Sequence, residues 1–104
     1  QGSKRGAALG FPTVNIPLED SNISGIYAAW VLIGSTEYPA AAYADQKRGL
    51  LEAHLLDFSG ELYGKTITIQ LHKKIRAGKQ FKDEGALRQA IAADVKAVRQ
   101  YFGI

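Results

Sequence analysis

Thr66-Ile67-Thr68-Ile69-Gln70-Leu71-His72 alternates without a break, with Ile67, Ile69 and Leu71 on one side and Thr66, Thr68, Gln70 and His72 on the other. Successive side chains of a strand point to opposite faces, so this pattern predicts a half-buried antiparallel strand with one face on a core and one in water. Downstream the period changes. Beyond Phe81, Leu87, Ile91, Val95, Val98 and Phe102 recur every three to four residues, which predicts a helix with one apolar stripe, capped by Asp83 and ending near Gly103. Upstream, Tyr27-Ala28-Ala29-Trp30-Val31-Leu32-Ile33 is apolar throughout and bounded by Gly25 and Gly34, as expected of a strand buried on both faces. Tyr38 to Tyr43 and Gly49 to Phe58 are further strand candidates. Thr13 to Pro17 is a short extended segment, Glu19 to Gly25 supplies turn residues, and Gln1 to Leu9 is a basic, glycine-bearing loop. Several short strands followed by one helix, with none between strands, predict a mainly β protein: a small antiparallel β-barrel, closed or nearly so, sealed by a C-terminal α-helix.

A chain of 104 residues makes one domain, spanning 1–104, with a single modest core. Its 46% hydrophobic and 22% charged content is that of a folded protein. No apolar run is long enough to span a bilayer and there is no charged-then-apolar leader, so a soluble protein without a membrane partner is expected. The absence of cysteine excludes disulfides and thiolate metal sites and fits a reducing, cytoplasmic setting. Thirteen basic residues against 10 acidic give a net charge of +3, a mild excess that suits either a nucleotide or a nucleic acid.

Three groups of residues have the makings of a site. In Pro12-Thr13-Val14-Asn15, the Thr13 hydroxyl and the Asn15 amide oxygen are hard oxygen ligands that share one side of an extended segment, and Gly2, Gly6 and Gly10 before them let backbone amides approach a phosphate; read alone, the tetrapeptide is more readily a turn leaving a loop, and only its company reverses that. In Leu50-Leu51-Glu52-Ala53-His54-Leu55-Leu56, Glu52 shares a face with Leu50, His54 and Leu56. A carboxylate in such company is desolvated unless paired, which raises its pKa and makes it a candidate general base; the plainer alternative is a solvent-facing glutamate on an edge strand. His54 and His72 make no metal-binding spacing, so His54 is expected to be a hydrogen-bonded strand histidine. In Ile75-Arg76-Ala77-Gly78-Lys79-Gln80-Phe81, an aromatic ring is flanked by cations, which suits a planar electron-poor ring bearing a phosphate, or simply a basic loop entering a helix.

Gly10-Phe11-Pro12-Thr13-Val14-Asn15-Ile16, answered by Leu51-Glu52-Ala53-His54-Leu55-Leu56-Asp57-Phe58 and then by Leu62-Tyr63-Gly64-Lys65, resembles the riboflavin kinase family in order and spacing from about Gly2 to Ile104. The resemblance implies a Greek-key-like barrel and phosphorylation of riboflavin to FMN with Mg-ATP, although no Walker-type phosphate loop is present. It assigns Glu52 as the base on the ribityl 5′-hydroxyl. Thr13 and Asn15 would hold magnesium and the nucleotide phosphates, with Gly2, Gly6, Leu55, Asp57 and Tyr63 at the ATP and Arg76, Lys79 and Phe81 at the flavin. It further implies a monomer or the kinase module of a larger flavin-nucleotide enzyme, with riboflavin and ATP as its small-molecule partners.

The chain departs from the family pattern twice. Ala44-Asp45-Gln46-Lys47-Arg48 stands where the family carries a longer segment with asparagine-isoleucine-glycine and proline-threonine-phenylalanine, which predicts a shorter flap over the site. The family also places a strand and a histidine before the glycine matched by Gly2, so a first barrel strand is expected to be lacking from residues 1–104, leaving an exposed edge. Two other functions compete: a flavin or nucleotide binder without turnover, and a basic nucleic-acid-binding barrel. The latter needs exposed aromatics interleaved with Lys and Arg on strand faces, whereas Tyr27 and Trp30 lie in an apolar run and the basic residues gather in loops, so no nucleic-acid partner is expected.

Overall fold

The computed structural model describes residues 11–58, 65–78 and 80–104. Five antiparallel strands form one sheet: β1 (Thr13–Pro17), β2 (Gly25–Ile33), β3 (Thr36–Asp45), β4 (Leu50–Leu55) and β5 (Ile67–Arg76), followed by α1 (Glu84–Phe102). The spatial order is β1-β4-β3-β2-β5. Strands β2, β3 and β4 form a meander and β1 returns to lie beside β4, which is Greek-key connectivity. The half-buried strand expected at 66–72 runs further, to Arg76, and the strand expected from Gly49 ends at Leu55.

Two clusters cover the two faces of the sheet. One gathers Val14, Ala29, Val31, Ala42, Leu51 and Leu55, with Ile67, Ile69 and Leu71 of β5 packed against it. Strands from both ends of the ladder therefore contribute to a single core, so the sheet curls on itself in a barrel-like way. Among the described residues no ladder joins β1 to β5. The opposite face carries Ala28, Ala41, Leu56 and Val98, the last from α1, with Phe11, Tyr43, Ile75, Val95 and Phe102 around them. Alanine meets alanine where β2 pairs with β3, at Ala28 with Ala41 and Ala29 with Ala40, and all four are fully buried.

Helix α1 begins and ends as its sequence dictates. The Asp83 side chain accepts from the Ala86 amide at 2.8 Å, and the Gly103 amide donates to the Arg99 carbonyl at 2.8 Å from a left-handed conformation. The β3–β4 loop is a tight turn over 46–49, with Ala44 and Asp45 still in strand; the Asp45 carboxylate accepts from the Arg48 amide at 3.1 Å. The Gln46 amide reaches back to the carbonyls of Asp20 and Ile23, pinning this short loop to the β1–β2 connection.

Candidate active site

The helix-facing side of the sheet carries a polar row. Asn15 pairs with Glu52 across β1–β4, Glu52 with Tyr43 across β3–β4, Tyr43 with Ile26 across β2–β3, and Ile26 with Arg76 across β2–β5. Directly opposed residues of antiparallel strands project to the same side, so all five share one face. The neighbouring row is Thr13, His54, Ala41 and Ala28. The period-two pattern of β4 explains Glu52: Leu51, Ala53 and Leu55 are claimed by the interior core, which commits Glu52 and His54 to the other side.

Between this face and the start of α1 lies a cleft of about 1030 Å³, bordered by Tyr43, Glu52, His54, Arg76, Phe81 and Leu87. Glu52 has only 13% of its side chain exposed, and its Oε2 lies 3.9 Å from Nε2 of His54, which is itself 2% exposed. The His54 ring is set between Tyr43, at 4.6 Å, and Phe11, at 6.4 Å. On the other side of Glu52, away from the cleft, the Thr13 hydroxyl is buried with no hydrogen-bond partner among the described residues, and Asn15 is exposed. A buried hydroxyl left unpaired costs stability, so this oxygen is available to a ligand at no loss of an internal bond. Among the described residues no three His, Cys, Asp or Glu side chains group as metal ligands. Mg²⁺ takes hard oxygen ligands and shares its shell with water and substrate phosphates, and the Thr13 and Asn15 oxygens are donors of that kind.

The remaining expected site residues divide. Arg76 and Phe81 border the cleft, with the guanidinium 5.7 Å from the Phe81 ring centroid. Leu55 turns its side chain into the interior core, on the opposite face from Glu52, while its amide donates to the Pro12 carbonyl at 2.8 Å and so fixes the approach to Thr13. Asp57 lies beyond the end of β4 with φ of 59°, and its carboxylate is gripped by Arg99 of α1 at 2.7 and 3.1 Å. That hydrogen-bonded pairing holds the Asp57 carboxyl below the usual carboxylate range. Gly2, Gly6, Tyr63 and Lys79 lie outside the described residues.

Two residues of the site escaped the sequence reading. Tyr43 read only as part of a strand, and its burial, together with the neighbouring Asp94 carboxylate, pushes its hydroxyl pKa well up. Asp94, buried on the stripe of α1 between Ile91 and Val98, accepts from Tyr43 and Arg76. The signal was present in the sequence: a carboxylate three residues from one stripe position and four from the next, on the face meant for the core.

A family model for riboflavin kinase, or flavokinase, matches residues 1–102. The chain belongs to the riboflavin kinase family. Among its relatives is the bifunctional riboflavin kinase/FMN adenylyltransferase of Escherichia coli K12, 38% identical over 112 residues that take in 99% of this chain and 36% of that protein. The protein of the same name from Pseudomonas fluorescens is 36% identical, over 94% of this chain and 34% of its own length. The Mycoplasma pneumoniae counterpart is 34% identical, over 98% of this chain and 40% of its own length. The chain thus spans little more than a third of these relatives. The fold is also similar to the crystal structure of a macrolide-efflux protein from Streptococcus pneumoniae, with TM-score 0.74 and 27% identity over 86% of this chain and 33% of the other. Among the described residues no helix is long and apolar enough to cross a membrane.

Proposed function

We propose that this chain transfers the γ-phosphoryl group of ATP to the 5′-hydroxyl of riboflavin, giving FMN and ADP. The observation that carries the proposal is the position of Glu52 within its row, with Thr13 and Asn15 on one side and the cleft bordered by Tyr43, Arg76 and Phe81 on the other. Phosphoryl transfer needs a phosphate site and an acceptor site that meet at one base, and Glu52 lies at that meeting point.

The Glu52 carboxylate takes the proton of the ribityl hydroxyl as its oxygen attacks the γ-phosphorus; the bond from that phosphorus to the bridging oxygen breaks, and ADP leaves with the electron pair. The Glu52 side chain is only 13% exposed, and the buried His54 ring beside it limits the access of water to the carboxylate. Magnesium, held by the Thr13 and Asn15 oxygens together with the phosphates, would supply charge neutralisation on the β- and γ-oxygens. The cleft, bordered by Phe81 and Leu87, receives the ring system.

In this reading the chain works in the cytoplasm, as the kinase module of a larger flavin-nucleotide enzyme or as a monomer, with riboflavin and ATP as partners. Incubation with riboflavin and Mg-ATP, followed by chromatographic separation of the flavins, tests the activity. FMN and ADP in equal amounts are expected; absence of FMN when the flavin binds would mark a binding protein instead.

A further inference from the structure

We propose that Asp94 is a positioning residue for the flavin half of the cleft, acting through Arg76 and Tyr43; this rests on the reading of the cleft as a flavin site. Asp94 does not border the cleft, yet it holds two residues that do. Its Oδ1 accepts from Arg76 Nε at 2.8 Å, and its Oδ2 accepts from Arg76 Nη2 at 2.8 Å and from the Tyr43 hydroxyl at 3.0 Å. The carboxylate is 3% exposed.

A guanidinium gripped at two nitrogens cannot turn in its plane. The remaining Nη1 donates to the Ala77 carbonyl at 3.1 Å, so the donors of Arg76 are largely committed within the protein. Its charge is balanced by Asp94, and with the Phe81 ring, over which it lies 5.7 Å from the centroid, it gives the cleft a flat wall. Such a wall suits the face of a planar heterocycle better than it suits a free phosphate. Tyr43 is fixed at the same time. Its hydroxyl proton points to Asp94, which sets the ring against His54 and commits that proton to Asp94 rather than to Glu52, the partner of Tyr43 across β3–β4.

A merely structural tie between α1 and the sheet is better made by apolar residues, because taking two charges out of water costs about as much as their attraction returns. The charged unit stands at the cleft wall, whereas Val98 and Leu56 make the apolar tie further along the helix.

Riboflavin and Mg-ATP are titrated separately, by calorimetry, into the wild type, Asp94→Asn and Arg76→Lys, with thermal melting of each. Both variants should lose riboflavin affinity by roughly tenfold or more, with Mg-ATP affinity within about twofold of wild type. Where Asp94→Asn does not fold, Asp94→Glu takes its place: it keeps the charge, moves the carboxylate relative to Arg76 and Tyr43, and should show the same selective loss. Unchanged riboflavin affinity in the folded variants, or equal losses for both ligands in step with a lower melting temperature, would overturn the positioning role. A wild-type protein that binds no riboflavin would instead overturn the proposed function, and this inference with it.

Discussion

Asn15 stands directly opposite Glu52 across the β1–β4 ladder, and Thr13 stands opposite His54 in the next row. The Pro-Thr-Val-Asn segment and the strand-borne glutamate, almost forty residues apart in sequence, are thereby adjacent on one face. This register makes Thr13 and Asn15 an oxygen-bearing margin alongside Glu52.

The unpaired hydroxyl of Thr13 gives opposite effects on stability and on binding. Thr13→Val keeps the shape and removes a buried group without a partner among the described residues, so the ligand-free protein should be more stable by about 1 kcal/mol. Mg-ATP should bind more weakly and riboflavin about as before. Denaturant unfolding and separate ligand titrations measure the three quantities. A destabilised variant with normal nucleotide affinity would show the hydroxyl to be structural.

Gly25 opens β2 at φ of 91°, and a β-carbon there would lie 2.5 Å from the Arg76 carbonyl oxygen. Both the backbone angle and the neighbouring main chain oppose a side chain. Gly25→Ala should cost roughly 1–3 kcal/mol in urea unfolding. Gly25 also borders the cleft beside Arg76, so riboflavin affinity should fall with it. Unaltered unfolding would mean that the β2–β5 register yields easily at this point.

Burial first, then the Asp94 carboxylate, raise the Tyr43 hydroxyl above its ordinary value of 10.0. A pKa raised in the folded state stabilises the protonated form: its contribution is full below the unfolded value and lost as pH rises beyond it. Stability should therefore decline above about pH 10 in the wild type and decline less in Tyr43→Phe. Chemical unfolding of the two proteins from about pH 8 to 11 checks this, and parallel curves would show Tyr43 to be solvated.

Much of the fold was legible because each element carries its own period. The alternation at Ile67, Ile69 and Leu71 and the stripe from Leu87 to Phe102 needed only local reading, as did Asp83 and Gly103 at the helix ends. The site was legible where it broke a pattern, as Glu52 does among leucines. Asp94 also breaks a pattern, but its role depends on Arg76 and Tyr43, 18 and 51 residues away, a pairing that only the docking of α1 on the sheet creates. The same docking gives two expected ligand residues partners within the chain: Arg76 pairs with Asp94 and Asp57 with Arg99, both on α1. Leu55 illustrates a simpler limit: three residues beyond Glu52, strand alternation sends its side chain to the other face.

The most direct test is single-turnover formation of FMN by Glu52→Gln beside the wild type, with riboflavin and Mg-ATP affinities measured on the same preparations. Glutamine keeps the shape of the side chain and removes its basicity, so the rate should fall by roughly 100-fold or more while both affinities stay close to wild type. A Glu52→Gln variant that forms FMN at a near-normal rate would contradict the assignment of Glu52 as the base.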